Sequence, residues 1–486
     1  MYKESALELS AAIKTGKISV KEVVSEYIKL IEENDKQVNS FITIAKESAL
    51  KRAEEVQSLI SKGEELSPLA GVPIALKDNI STMGIETTCA SKTLKGYTPV
   101  FNAAVVDKLE RAGMIVIGKL NMDEFAMGGY GETGVSGPVR NPWDVSRIAG
   151  DGSAAAIAAG LVPLSLGSDS GGGIRQSCSF CGVTGIKPTY GAVSRYGLVA
   201  NASSLEQIGP IGKNINDCAA LLSVISGADG NDGTCVLEKP FDLGGALGAA
   251  GTERLDGVRI GLPRNYMDTG TDEGVRLAVL AAAKEFEAAG AAIEEFEMPL
   301  TDYVIPAWYT IACAEGSSNL SRYDGLKFGY RSADAKSLSE VYRLSRGEGF
   351  GLEVKKRIML GSFVLSSGNY DAYYRKAMQV RTLVKDAYNK LFKQFDIILS
   401  PVVPTTALKL GENTDPMKMN MGSILNVPAN LAGLPAAALP CGFDSQGLPV
   451  GIQLIGSAFS EGKLVNSARI YQRYTDYHLN NKNLEI

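Results

Sequence analysis

The sequence predicts an α/β fold in which helices cover a β-sheet, and three features predict it. Short aliphatic runs alternate with segments of helical periodicity, as in Gly71–Lys77, then 103–112, then Met114–Ile117. Beyond a Gly/Asp-rich stretch the order strand, helix, strand recurs at Val258–Leu262, Glu273–Ala289 and Ile293–Glu297, which is a β-α-β unit. The 486 residues are 45% hydrophobic, enough to bury a large core and too apolar for a disordered chain.

Taken in order, Ser19-x-x-Glu22 is a capping box. Val20, Val23, Val24, Tyr27, Ile28 and Ile31 follow at helical spacing, so an amphipathic helix begins there with a solvated charged face. A second helix is predicted over Ala45–Ile60. The apolar run 71–77, ending in Lys77, reads as a strand entering the core. A helix over 103–112, a strand at Met114–Ile117, a Gly/Ala-rich helix over 152–160 and a strand at 162–166 continue the alternation. The stretch 227–257 is rich in Gly and Asp and reads as a surface excursion. After the β-α-β unit, Ile397-Ile-Leu-Ser-Pro reads as a strand, as do Ala436–Pro440 and Pro449–Ile455, the last two joined by a turn at 444–447.

Composition narrows the function classes. The formal charge is -5 and the pI about 5.4, with Lys and Arg dispersed, so the chain lacks the basic footprint of a direct nucleic-acid binder. Seven scattered cysteines fit reduced thiols better than a disulfide framework. Cys178-x-x-Cys181 has no second pair and no nearby histidine to make a metal or redox site. The opening MYKESALELS lacks the apolar stretch of a signal peptide, and no apolar run is long enough to span a membrane, so the expectation is a cytoplasmic protein. The single histidine, His478, lies in a polar segment near the C-terminal end and reads as a surface side chain. That argues against a Ser-His-Asp triad and against His-rich zinc sites. If a serine is activated in this chain, a lysine must be the base.

Two glycine-rich stretches stand out, Ala149-Gly-Asp-Gly-Ser-Ala-Ala-Ala and Gly167-Ser-Asp-Ser-Gly-Gly-Gly-Ile-Arg-Gln. Neither carries the lysine of a phosphate loop, and Gly150-x-Gly152-x-x-Ala155 does not clearly follow a predicted strand. The other use of converging backbone N–H groups is an oxyanion hole.

With GVPIALKDNI, GKLNMDEFAMGG, GSDSGGGIRQ and FCGVTGIKPTYGAVSRYGL in order, the chain resembles the amidase signature family over nearly its whole length. SSNLSRYDG (317–325), 354–374 and NVPANLAGLP (426–435) are similar, within that family, to the A subunits of bacterial glutamyl-tRNA(Gln) amidotransferases. The resemblance implies one domain over 1–486, built on a mixed β-sheet covered by helices on both faces. Its parts would be an N-terminal helical segment (1–65), a signature core (66–226), the excursion (227–257) and the remainder of the sheet with the substrate pocket (258–486). It also implies a Ser-cisSer-Lys triad with Lys77 as the lysine, and an oxyanion hole from Ser170, Gly171 and Gly172. Arg357 would grip the glutamine carboxylate, with Tyr309 lining the same pocket. The A subunit would release ammonia from glutamine through an acyl-enzyme. A B subunit would bind the tRNA and use ATP and Mg, a C subunit would support assembly, and the chain itself would need no cofactor or metal.

The carry-over fails at the nucleophile. The family's serine falls on Gly173, and glycine has no group with which to attack a carbonyl. The loop 150–153 is about three residues shorter than the family's, leaving the cis-serine without a counterpart, while Ser153 matches the serine that caps the next helix. Ser423 stands where the family has an aspartate for the substrate's ammonium. The expectation is therefore an A-type subunit with its amide chemistry lost or very low. The alternatives are a working subunit or amidase with a recruited nucleophile such as Ser170, Ser177 or Cys178, and a general small-amide hydrolase.

Overall fold

The computed structural model describes residues 4–64, 66–243, 253–268, 270–412 and 422–480. Eleven strands form one sheet: β1 (Phe41–Ile44), β2 (Pro73–Lys77), β3 (Ile115–Leu120), β6 (Leu164–Asp169), β7 (Thr184–Lys187), β8 (Gln207–Gly212), β9 (Arg259–Pro263), β10 (Ala292–Phe296), β11 (Ile397–Pro401), β12 (Ala436–Phe443) and β13 (Pro449–Gly456). The remaining strands, β4 (Arg140–Asn141) and β5 (Asp144–Ile148), make a separate ribbon. The order across the large sheet is β1-β3-β2-β6-β8-β7-β12-β13-β11-β9-β10. It is mixed: β3, β2 and β6 run parallel, the strands from β6 through β13 to β11 pair antiparallel, and β11, β9 and β10 run parallel again.

Strand side chains alternate between faces with a period of two. Ile74 and Leu76 of β2 enter one hydrophobic cluster, with Leu164, Leu166, Ile397 and Leu399, covered by the helices Ile215–Ile225, Glu273–Ala288 and Glu461–Tyr474. Ala75 enters another, with Ile115 and Ile117, beneath the helices Val20–Val38, Gly152–Ala158 and Gly173–Cys181. Each fully buried Ile or Leu contributes roughly 1.5–3 kcal/mol, so the two clusters anchor the sheet from both sides. Lys77 shares parity with Ala75 and therefore points to the face carrying the Gly152 and Gly173 helices.

The expected α/β architecture with a mixed sheet and helices on both faces is what the molecule has. Ser19 caps the second helix with a complete capping box, as read from the sequence. The strand expected at 114–117 runs on to Leu120, because the fully buried Lys119 donates from Nζ to Ile80 O (2.6 Å) and Thr87 Oγ1 (2.8 Å) and so satisfies its charge inside the sheet. The glycine stretch after 149 does follow a strand, since β5 ends at Ile148. Residues 228–242 run along the surface, tied back through Ser194 to Asp229 and through the Arg195 N–H to Asp232. The rest of the expected excursion includes 244–252, which lie outside the described residues. Among the described residues no helix is long and apolar enough to cross a membrane.

Candidate active site

The site forms at the carboxyl ends of the adjacent parallel strands β2 and β6, where Lys77 closes one and Asp169 the other. Open α/β sheets place ligands at such strand ends. After β6 the chain turns through Ser170, Gly171 and Gly172 into the helix that begins at Gly173. Gly172 has φ +125°, a conformation open to glycine. The turn is braced from below by a fully buried ion pair. Arg175 Nε donates to Asp169 Oδ2 at 3.0 Å, and its terminal nitrogens donate to Asn430 Oδ1 (2.6 Å), Gln453 Oε1 (2.8 Å) and the Asn426 carbonyl (3.0 Å). Burial alone would raise the Asp169 carboxyl, but Arg175, with Lys187 and Asn430, holds it well below the usual carboxylate range. From above, Trp308 Nε1 donates to the Ser170 carbonyl at 2.8 Å.

The first glycine loop brings Asp151 over the same strand ends. Asp151 Oδ1 accepts from the Ser153 N–H (2.9 Å) and Ser153 Oγ (2.7 Å), capping the Gly152 helix. The cap is thus Asp151 and not Ser153, whose buried hydroxyl serves the cap instead. Gly152 fits only as glycine, because a Cβ there would stand 2.5 Å from the Ser40 carbonyl. The other oxygen, Asp151 Oδ2, forms an ion pair with Lys77 Nζ. Both partners are buried, so the pair is closed to bulk water.

Lys77, Asp151, Ser168, Ser170, Gly171, Gly173, Gln176, Arg357 and Ser423 line one cleft of about 50 Å³. Gly173 stands at its floor. A Cβ added there would lie 3.7 Å from Lys77 Nζ and 2.6 Å from the Ser168 carbonyl, to which Lys77 also donates at 3.5 Å. Lys77 and Gly173, the position to which the resemblance assigns the nucleophile, are therefore adjacent, and Gly173 carries no hydroxyl.

The sequence-derived oxyanion donors are together, though not all available. The Gly172 N–H donates to Asp169 Oδ1 at 2.9 Å, so its hydrogen bond is spent on the brace and the expected trio shrinks to Ser170 and Gly171. Arg357 is buried, donates from Nε to Glu353 Oε1 at 3.0 Å, and among the described residues its Nη2 has no hydrogen-bond partner. Gln176 Nε2 is likewise buried without one, while its Oε1 accepts from Ser423 at 3.4 Å. Two orphaned donors around a small cleft are what a ligand with acceptor oxygens would satisfy. Tyr309 does not line the cleft itself; its ring lies 5.4 Å from the Arg357 guanidinium and supports it from behind.

Of the substitute nucleophiles, Ser170 lines the cleft, but Ser177 donates to the Gly173 carbonyl within its own helix at 2.7 Å. Cys178 is fully buried, and burial pushes its thiol far up, away from thiolate chemistry. Asp123 is a cleft residue that sequence reasoning missed. Its carboxylate accepts the N–H groups of Gly129, Tyr130, Gly131, Glu132 and Thr133 and so folds the loop that roofs the cleft. His478 is half-buried, at a separate surface depression with Lys213 and Arg473. A wider depression of about 950 Å³ between Arg52, Asp107 and Asn231 holds none of the sequence-derived site residues.

The family model described as Amidase matches residues 22–465. This chain belongs to the amidase family. Among curated relatives, the glutamyl-tRNA(Gln) amidotransferase A subunit of Agathobacter rectalis is 50% identical over 473 residues, covering 96% of this chain and 93% of its own length. Its counterpart of the same name in Lachnoclostridium phytofermentans is 51% identical over 489 residues, covering 97% and 98%. Among solved structures, the glutamyl-tRNA(Gln) amidotransferase A subunit of Thermotoga maritima superposes with a TM-score of 0.80 at 39% identity, covering 98% of this chain and 96% of its own. The peptide amidase of Stenotrophomonas maltophilia does so with 0.83 at 27% identity, covering 97% and 96%.

Proposed function

We propose that this chain is a glutamyl-tRNA(Gln) amidotransferase A-type subunit that keeps the substrate cleft and has lost its amide-cleaving chemistry. Full-length identity of about half to proteins of that name supports the first part. One observation carries the second: the position beside Lys77 at the floor of the cleft is Gly173. Removing the nucleophile of a serine-hydrolase triad lowers turnover on the order of a millionfold.

On this reading glutamine enters with its carboxylate toward Arg357 Nη2. Ser423, lacking a charge, holds the substrate ammonium more weakly than an aspartate would. The chain docks with B and C subunits in the cytoplasm; tRNA is bound only through the B subunit, which uses ATP and Mg to activate glutamate. The chain then serves the assembly as a scaffold, and ammonia must come from outside.

The test assembles the chain with the B and C subunits of Lachnoclostridium phytofermentans and follows formation of Gln-tRNA. With ammonium chloride as nitrogen donor the assembly should form product; with glutamine it should stay at the level of a reaction without a donor. Equal rates with both donors would overturn the loss of chemistry, and failure to assemble would overturn the A-type reading.

A further inference from the structure

We infer that Asp151 is a second and independent block on amide cleavage: it holds Lys77 in an ion pair, so that restoring a hydroxyl at position 173 does not by itself restore activity. The inference rests on the amidotransferase reading only for the reaction used to measure it. The geometry comes from the loop that leads into the Gly152 helix. Asp151 Oδ1 is fixed by both the N–H and the hydroxyl of Ser153, which leaves Oδ2 aimed at Lys77 Nζ. Asp151 and Lys77 are 3% exposed each, so water competes little for either charge. In that ion pair Lys77 is an ammonium engaged by Asp151, and an ammonium has no lone pair to offer a serine hydroxyl.

The blocked step can be written out. A hydroxyl oxygen at position 173 would bond to the amide carbon of glutamine while its proton passes to the Lys77 amine. The proton would go on to the departing nitrogen, the C–N bond would break and ammonia would leave. Water would then cleave the ester, giving glutamate and the free hydroxyl. The first proton transfer needs an uncharged Lys77, and the spacing allows it, since the Cβ position at 173 lies 3.7 Å from Lys77 Nζ. Asp151 is thus a positioning residue acting through Lys77.

The test uses the full chain in complex with B and C subunits, as four proteins: parent, Gly173→Ser, Gly173→Ser with Asp151→Ser, and Asp151→Asn. Serine and asparagine both keep the helix cap. Two readouts are taken. Cyanate reacts with amines and is small enough for the cleft. Carbamylation of Lys77, measured by peptide mass against the exposed Lys385, should be at least about tenfold faster in Asp151→Asn than in the parent, because the amine is no longer held by the carboxylate. Ammonia release from glutamine should stay at background for Gly173→Ser alone and rise at least roughly a hundredfold above it when Asp151→Ser is added. Equal carbamylation with and without the carboxylate would overturn the inference, and so would a Gly173→Ser variant as active as the double variant. If carbamylation differs as expected but no variant releases ammonia, the block on Lys77 stands and the glutaminase reading of the cleft falls.

Discussion

Asp151 closes an ion pair with Lys77 through one carboxylate oxygen and caps the Gly152 helix through the other, so one side chain holds both the lysine and the local fold. Deleting it leaves the buried Lys77 charge without compensation. Asp151→Ala is therefore expected to lower unfolding free energy by about 3–5 kcal/mol, and Asp151→Asn by less, because asparagine retains the cap. Urea denaturation of the three proteins gives the order.

Gly173→Ser carries a steric cost of its own. The added Cβ meets the Ser168 carbonyl at 2.6 Å, so the turn between β6 and the Gly173 helix must shift. A loss of about 1–3 kcal/mol is expected by denaturant melts, which a domain of ordinary stability survives.

Arg357 Nη2 is one of two donors around the cleft without a hydrogen-bond partner among the described residues. Arg357→Ala should abolish calorimetrically detectable binding of glutamate or glutamine, a loss of at least roughly tenfold in affinity. Ser423→Asp should strengthen binding by adding a countercharge for the ammonium group.

Glu206 sets a pH dependence. Burial is the main cause that raises its carboxyl, from 4.5 to about 7, against the opposing pull of Arg195. Between those values the folded chain holds a proton that the unfolded chain has released. Its contribution to stability is therefore fully present below about 4.5 and is lost as pH rises to about 7. Glu206→Gln should flatten that part of the curve of unfolding free energy against pH.

Much of this was legible in residue order. The alternation at 71–120 and 258–297 encodes strands and helices whose apolar periodicities differ, and the parity of Lys77 with Ala75 already assigns it a face. Other strands hid for physical reasons. β8 is Gln-Ile-Gly-Pro-Ile-Gly, and Pro210 inside a central strand argues against that assignment from sequence. β3 continues through Lys119, which reads as an ending until its buried partners are known. At the site, Lys77 and Gly173 were found because resemblance aligns them. Asp151 was passed over as one polar residue in a glycine loop: no periodicity reveals that the loop turns its carboxylate onto a lysine 74 positions earlier. Asp123 was passed over too, although an aspartate followed by the glycine-rich segment 128–131 is a usable sign of a carboxylate-capped loop.

The most direct measurement of the central claim is ammonia released from glutamine by this chain assembled with B and C subunits, beside an assembly containing the Lachnoclostridium phytofermentans A subunit. Release is expected at the level of an assembly lacking any A subunit. Release within about tenfold of the Lachnoclostridium assembly would mean that a nucleophile other than a residue at 173 is at work, with Ser170 the first to replace, and would contradict that claim.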